Sequence, residues 1–177
     1  EIEVYPFSPN PLVVLAPRNH PLVNKKHIKL EEIANEPFIM REPGSGIRDL
    51  VFRTFDAKGL RPNVRMELGS NEVIKHAVVS GLGLSVLSLH TLTLEGVDGP
   101  VAILDVEGFP ILRNWYIGYP KGKELSLIAR TFLEFAIDYQ PIFRERMQKM
   151  WPALKAMLDK NKKKAVGRKK KKDKIKS

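Results

Sequence analysis

Across residues 38–89 short apolar runs alternate with stripes of helical period, and that alternation restricts the chain to an α/β unit whose parallel strands are joined by crossover helices. Phe38-Ile39-Met40 reads as a strand. After the turn Pro43-Gly44-Ser45-Gly46, the residues Ile47, Leu50, Val51, Phe55 and Ala57 form a helical stripe closed by Gly59. Val64 to Leu68 alternates as a second strand, and Ser70 or Asn71 caps a helix that runs through Val79 and ends at Gly81. Leu82 to Leu89 is the third strand, with glycines that permit close backbone approach at its start.

The flanking segments do not fit beside this unit. Pro11 to Pro17 is an apolar run of the kind buried on both faces of a parallel or mixed sheet, and it is followed by a short helix with Leu30, Ile33 and Ala34 inward, stopped by Pro37. Residues 101–104 and 114–119 read as two more strands, and Ser126 caps a helix from Leu127 to about Tyr139 that buries Ile128, Phe132, Phe135 and Ala136. The economical arrangement is two lobes. Residues 1–16 and 103–139 form part of lobe I and residues 17–102 form lobe II, with crossings near 16–18 and 100–102 that make a hinge over a cleft. Residues 140–159 read as an additional amphipathic helix carrying Phe143, Met147, Met150, Trp151, Leu154 and Leu158.

Charge separates the end of the chain from its body. Residues 160–177 hold eleven Lys or Arg against one Asp, which is the whole formal excess of +10, so residues 1–159 are balanced. The pI of 9.8 therefore describes a lysine-rich tail expected to be disordered, and says nothing of a basic folded face. With no cysteine there is no disulfide frame and no thiol chemistry. No run reaches the roughly 18 apolar residues of a membrane helix, and residues 1–15 lack a signal-peptide pattern, so a cytoplasmic location without membrane contact is expected. The chain opens at Glu1 directly into the strand-like Ile2-Glu3-Val4-Tyr5, which reads as a piece whose upstream part is absent.

The chemistry points to binding rather than catalysis. His20, His27, His76 and His90 form no i,i+4 pair and have no thiolate partners, so no metal ligation is expected. No Gly-x-Ser-x-Gly elbow occurs, and Gly81-Leu-Gly83 precedes a strand and lacks a third glycine, which excludes a dinucleotide loop. The expectation is a non-enzyme without a cofactor. Two loops remain: Arg41-Glu-Pro-Gly-Ser-Gly-Ile-Arg48 and Leu68-Gly-Ser-Asn-Glu-Val-Ile-Lys75 each place small hydroxyl or amide residues at the mouth of a helix. A helix mouth leaves N–H groups unpaired and carries about half a positive charge. Because both loops follow parallel strands of one unit, they open on the same edge and suit a small anion. The candidate binding residues are Arg41, Glu42, Ser45, Gly46, Ile47, Ser70 and Asn71, with Arg48 as a flanking cation.

The words as well as the order match a family. Pro11-Leu-Val-Val-Leu-Ala-Pro-Arg-Asn-His-Pro-Leu22, Glu36-Pro-Phe-Ile-Met-Arg-Glu42 with Gly44-Ser-Gly46, and Val78-Val-Ser-Gly-Leu-Gly-Leu-Ser-Val-Leu87 resemble the effector-binding domain of LysR-type transcriptional regulators over residues 1 to about 137. Met66-Glu-Leu-Gly-Ser-Asn-Glu-Val-Ile-Lys75 and Leu104-Asp-Val-Glu-Gly-Phe-Pro110 with Trp115-Tyr116 look like regulators of Rubisco and carbon-fixation operons.

That resemblance implies a periplasmic-binding-protein-like two-lobed fold with mixed sheets, its first lobe incomplete at the N-terminus, and a small anionic metabolite in the interlobe cleft. It also implies homodimers or tetramers that meet promoter DNA through an upstream winged helix-turn-helix absent from this sequence. The absent opening β-α-β of lobe I would leave a sheet edge and a core face uncovered. The family's frequent Gly-Ser-Gly-Thr-Arg reads Gly-Ser-Gly-Ile-Arg here, so Ile47 replaces a hydroxyl; at an effector contact that change costs roughly 1–3 kcal/mol. The rival readings are a transporter's solute-binding protein of the same fold and, ranked lower, a two-lobed metabolic enzyme.

Overall fold

The computed structural model describes residues 1–93 and 99–150, and they divide into two compact units. One comprises Pro9–Tyr116; the other comprises Glu1–Ser8 with the chain from Ile117 onward. Ten regular elements follow in order: β1 (Ile2–Pro17), α1 (Leu30–Ala34), β2 (Pro37–Arg41), α2 (Gly46–Asp56), β3 (Asn63–Leu68), α3 (Asn71–Val79), β4 (Ser85–Ser88), β5 (Val101–Leu104), β6 (Ile111–Pro120) and α4 (Leu127–Met150). The expected α/β class with mixed sheets holds. β2 and β3 are parallel, whereas β1 takes β4 and β5 antiparallel on its two sides.

Within the larger unit the core is set by β1, whose residues Asn10–Pro17 are all buried as the apolar run requires. Leu12 and Val14 pack with Ile28, Ile33, Phe38 and Phe55. The Phe38 and Phe55 rings meet edge to face at 5.7 Å, and neither is exposed to solvent. Lys29 opens α1, its backbone N–H donating to Glu32 Oε1 at 2.8 Å, and Lys25 binds the other oxygen of the same carboxylate. The glycine-rich start of β4 behaves as its sequence indicates: Gly83 lies so near β2 that a Cβ there would stand 2.4 Å from the Pro37 oxygen. Leu84 N–H donates to that oxygen at 2.7 Å, and Leu84 O accepts from Ile39 N–H at 2.8 Å.

Several boundaries differ from the sequence reading. The strand-like residues 2–5 and the run 11–17 are one continuous strand, β1. Leu84 bridges Phe38 in parallel, but β4 then runs antiparallel to β1, so the third strand of the alternating series leaves the parallel pair. The crossings expected near 16–18 and 100–102 lie inside the larger unit, because Ala16 pairs with Ala102 and Pro17 with Val101. The division into two compact units falls between Ser8 and Pro9 and between Tyr116 and Ile117.

In the smaller unit β1 pairs with the end of β6, and Lys121 N–H donates to Glu1 O at 3.1 Å. Glu3, Tyr5 and Tyr119 form one polar cluster, in which the Tyr119 hydroxyl donates to Glu3 at 2.7 Å. The helices expected on either side of Pro141 are a single helix, α4, with Pro141 inside it. Its buried side is Ala136 and Met147, with Phe143 against Phe7 at 5.6 Å. The stripe expected to be buried is not: Ile128, Phe132 and Phe135 are 83%, 62% and 61% exposed, and of the four named only Ala136 is covered. Residues 151–159 of the expected additional helix and the lysine tail lie outside the described residues.

Candidate functional site

Both candidate loops form helix mouths as their residues require. Ser45 is the N-cap of α2 and accepts from Ile47 N–H at 3.3 Å; Ser70 is the N-cap of α3 and accepts from Val73 N–H at 3.5 Å. The preceding strands are the parallel pair β2 and β3, in register at Arg41 and Leu68, so both mouths open at the same edge.

Arg41 joins the two mouths. Its Nη1 donates to Asn71 Oδ1 at 2.9 Å, while Nε and Nη2 donate to the two carboxylate oxygens of Glu42 at 2.7 and 2.8 Å. This paired hydrogen bond, helped by a backbone hydrogen bond within Glu42, holds the Glu42 carboxyl down at about 2 from its ordinary 4.5. The same carboxylate raises the Arg41 pKa above its ordinary value. Glu42 also lies under Gly69, where a Cβ would meet its carboxyl carbon at 3.8 Å.

Arg48 has a structural role. It pairs with Glu67 at 2.6 Å, donates to Arg41 O at 3.0 Å and lies over the Phe52 ring at 4.9 Å. Ile47 turns its side chain onto the hydrophobic core. The alkyl-for-hydroxyl change at Ile47 therefore falls on a packing position.

One residue was missed by sequence reasoning. Arg113, on β6, reaches the mouth of α2 and donates from Nη1 to Gly46 O at 3.3 Å. A Cβ at Gly46 would stand 3.4 Å from that guanidinium nitrogen, the mobile end of a long side chain. A contact between positions 67 apart leaves no local signal in sequence. Arg113 is exposed and makes no carboxylate pair among the described residues, so it is the site's uncommitted cation. Arg41, Glu42, Ser45, Gly46, Ile47, Ser70 and Asn71 thus surround one edge, with Arg113 arriving from a different strand. Such a surface offers backbone N–H groups and the Arg113 guanidinium to an anion.

Among the described residues no group of three or more acidic or histidine side chains is placed to hold a metal, and no helix is long and apolar enough to cross a membrane.

Comparison with known proteins gives the family and the fold. A family model described as the LysR substrate binding domain matches residues 1–141. The chain is 56% identical over 135 residues to the HTH-type transcriptional activator CmpR of Synechocystis sp., covering 76% of this chain and 44% of that protein. It is 48% identical over 138 residues to the RuBisCO operon transcriptional regulator of Allochromatium vinosum, covering 78% and 46%. The chain therefore spans less than half the length of these relatives. Among solved structures it is similar to the Synechocystis CcmR regulatory domain in complex with 2-PG, with a TM-score of 0.76 and 46% identity over 79% of this chain and 67% of that one. The effector-binding domain of QuiR in complex with shikimate, at 23% identity and a TM-score of 0.69 over 81% of this chain and 67% of that one, shares the fold. The architecture is the periplasmic-binding-protein-like two-lobed fold of LysR regulatory domains.

Proposed function

We propose that this chain, which belongs to the LysR substrate-binding domain family, senses a small anion for a transcriptional regulator of carbon-fixation genes. The observation that carries this reading is the convergence of two capped helix mouths, the Arg41 fork and Arg113 on one edge of the larger unit. Bound there, an anion would accept from backbone N–H groups at the start of α2 and α3 and from Arg113, and would favour the arrangement of the protein that presents those groups together.

The names of the relatives support the regulatory part: CmpR and the RuBisCO operon regulator are transcriptional regulators. Since the CcmR regulatory domain was solved with 2-PG, 2-PG is the first ligand to try. In the whole protein we place promoter contact in a winged helix-turn-helix beyond this chain, acting from a dimer or tetramer in the cytoplasm.

Hydrogen exchange with and without 2-PG tests the site. Slower exchange is expected at the backbone amides of residues 46–48 and 71–73. Protection confined to other segments, with these amides unchanged at saturating 2-PG, would remove the assignment.

A further inference from the structure

Strand β4 brings a third strand end to the edge where the two helix mouths open. Leu84 bridges Phe38 in parallel, so β4 leaves in the direction of β2, and its last residue, Ser88, comes to the side at which Arg41 and Leu68 close β2 and β3. The turn that follows carries His90 and is pinned from several directions. His90 N–H donates to Ser88 Oγ at 3.2 Å, Thr91 Oγ1 donates to Ser88 O at 2.7 Å, and the buried Lys75 of α3 donates from Nζ to Thr91 O at 2.9 Å. The His90 ring is fixed in turn by a 2.9 Å hydrogen bond between Nε2 and Pro9 O.

Against this fixed ring lies Trp115, with centroids 4.3 Å apart and planes inclined by 27°. Trp115 is two residues beyond Arg113 on β6, so the two side chains leave the same face of the strand. Arg113 reaches Gly46 O, in the loop after β2, and Trp115 rests on the turn after β4. β6 thus spans the edge and sets an indole beside the cation. Despite the support beneath it, Trp115 remains 38% exposed. Small-molecule sites have this composition: a rigid apolar surface takes the body of the ligand, and a few polar groups fix its charge.

We infer that Trp115 is a binding residue of the anion site, whose open ring face packs on the carbon skeleton of the ligand and selects an organic anion over an inorganic one. Resting on the anion reading proposed above, this narrows the ligand to a chemical class. A bare oxyanion at the helix mouths reaches the N–H groups and Arg113 but has nothing to lay on the indole. An organic anion engages both, and gains the burial of the ring face. His90 is a positioning residue, because without its ring the indole loses the backing that holds it toward the edge. Trp115, His90, Arg113 and Gly46 all lie in the larger unit.

The test is calorimetric titration of the 177-residue chain with 2-PG and with inorganic phosphate, which has no carbon. The parent should prefer 2-PG by about tenfold or more, and Trp115→Ala should erase most of that preference by weakening 2-PG while leaving phosphate within about twofold. Trp115→Phe and His90→Phe, which keep an aromatic ring at each position, should retain the preference, and His90→Ala should lose it. The chain has two tryptophans, so in Trp151→Phe the emission reports Trp115 alone. In that protein 2-PG should shift the emission to shorter wavelength and phosphate should not. Equal affinity of the parent for the two anions, an undiminished preference in Trp115→Ala, or a loss shared equally by both anions in that variant would overturn the inference and leave the anion reading standing. Binding of neither anion by the parent would overturn both.

Discussion

Arg41 turns its guanidinium onto the carboxylate of the next residue, Glu42, with both oxygens engaged at 2.7 and 2.8 Å. The strongest anion-binding fork at the two helix mouths is therefore occupied by an internal anion, and the remaining Nη1 holds Asn71. A ligand must either bind beside Glu42 against its charge or draw Arg41 away from it.

Neutralising that carboxylate should strengthen anion binding. Glu42→Gln removes a negative charge from the rim of the site and loosens the fork. Affinity for 2-PG measured by calorimetry should rise roughly three- to tenfold. A weaker affinity would mean that Glu42 positions Arg41 for the ligand and does not compete with it.

Arg113 and Arg48 should separate binding from stability. Arg113→Ala removes an exposed guanidinium whose bond among the described residues goes to Gly46 O, so 2-PG affinity should drop about tenfold or more with little change in the urea midpoint. Arg48→Ala breaks the pair with Glu67 and the bond to Arg41 O, and should cost roughly 1–3 kcal/mol of stability by urea unfolding. Equal effects of the two substitutions on both readouts would contradict the division of roles.

His90 makes stability depend on pH. Its ring stacks on Trp115 at 4.3 Å, and burial pushes its pKa below the ordinary 6.5, opposed by a hydrogen bond with Pro9 O. A depressed folded pKa means that the unfolded chain binds the proton more readily. The contribution is thus whole above pH 6.5 and is lost as pH falls through the folded value. Urea midpoints taken from pH 7.5 down to about 5.5 should decline, and His90→Phe should flatten that slope. An unchanged slope in the variant would place the pH dependence elsewhere.

Gly83→Ala should be disruptive although the change is one methyl group. The added carbon would meet the Pro37 oxygen at 2.4 Å and separate Leu84 from β2. A loss of roughly 1–3 kcal/mol by urea unfolding is expected, whereas Gly59→Ala, with nothing within 4 Å, should show only the strain of its positive φ.

What was legible in the sequence was local. Ser45 and Ser70 announced two helix starts, Gly83 announced a close approach, and the proline-bounded run announced a buried strand. Family membership was legible too, because it rests on whole words such as Glu36-Pro-Phe-Ile-Met-Arg-Glu42. The misreadings involve residues far apart. Arg113 comes to Gly46 across 67 positions, and the third strand of the alternating series pairs antiparallel with residues 12–15 of β1. The exposed stripe of α4 failed for a different reason: helical period shows which residues share a face, but not whether anything covers that face.

Anion binding at the two helix mouths can be read by calorimetric titration of 2-PG into the chain and into Ser45→Ala with Asn71→Ala. Binding to the parent and a loss of at least tenfold in the double variant are expected, with circular dichroism retained and stability lower by roughly 1 kcal/mol for the lost cap. The same affinity in both proteins would contradict it.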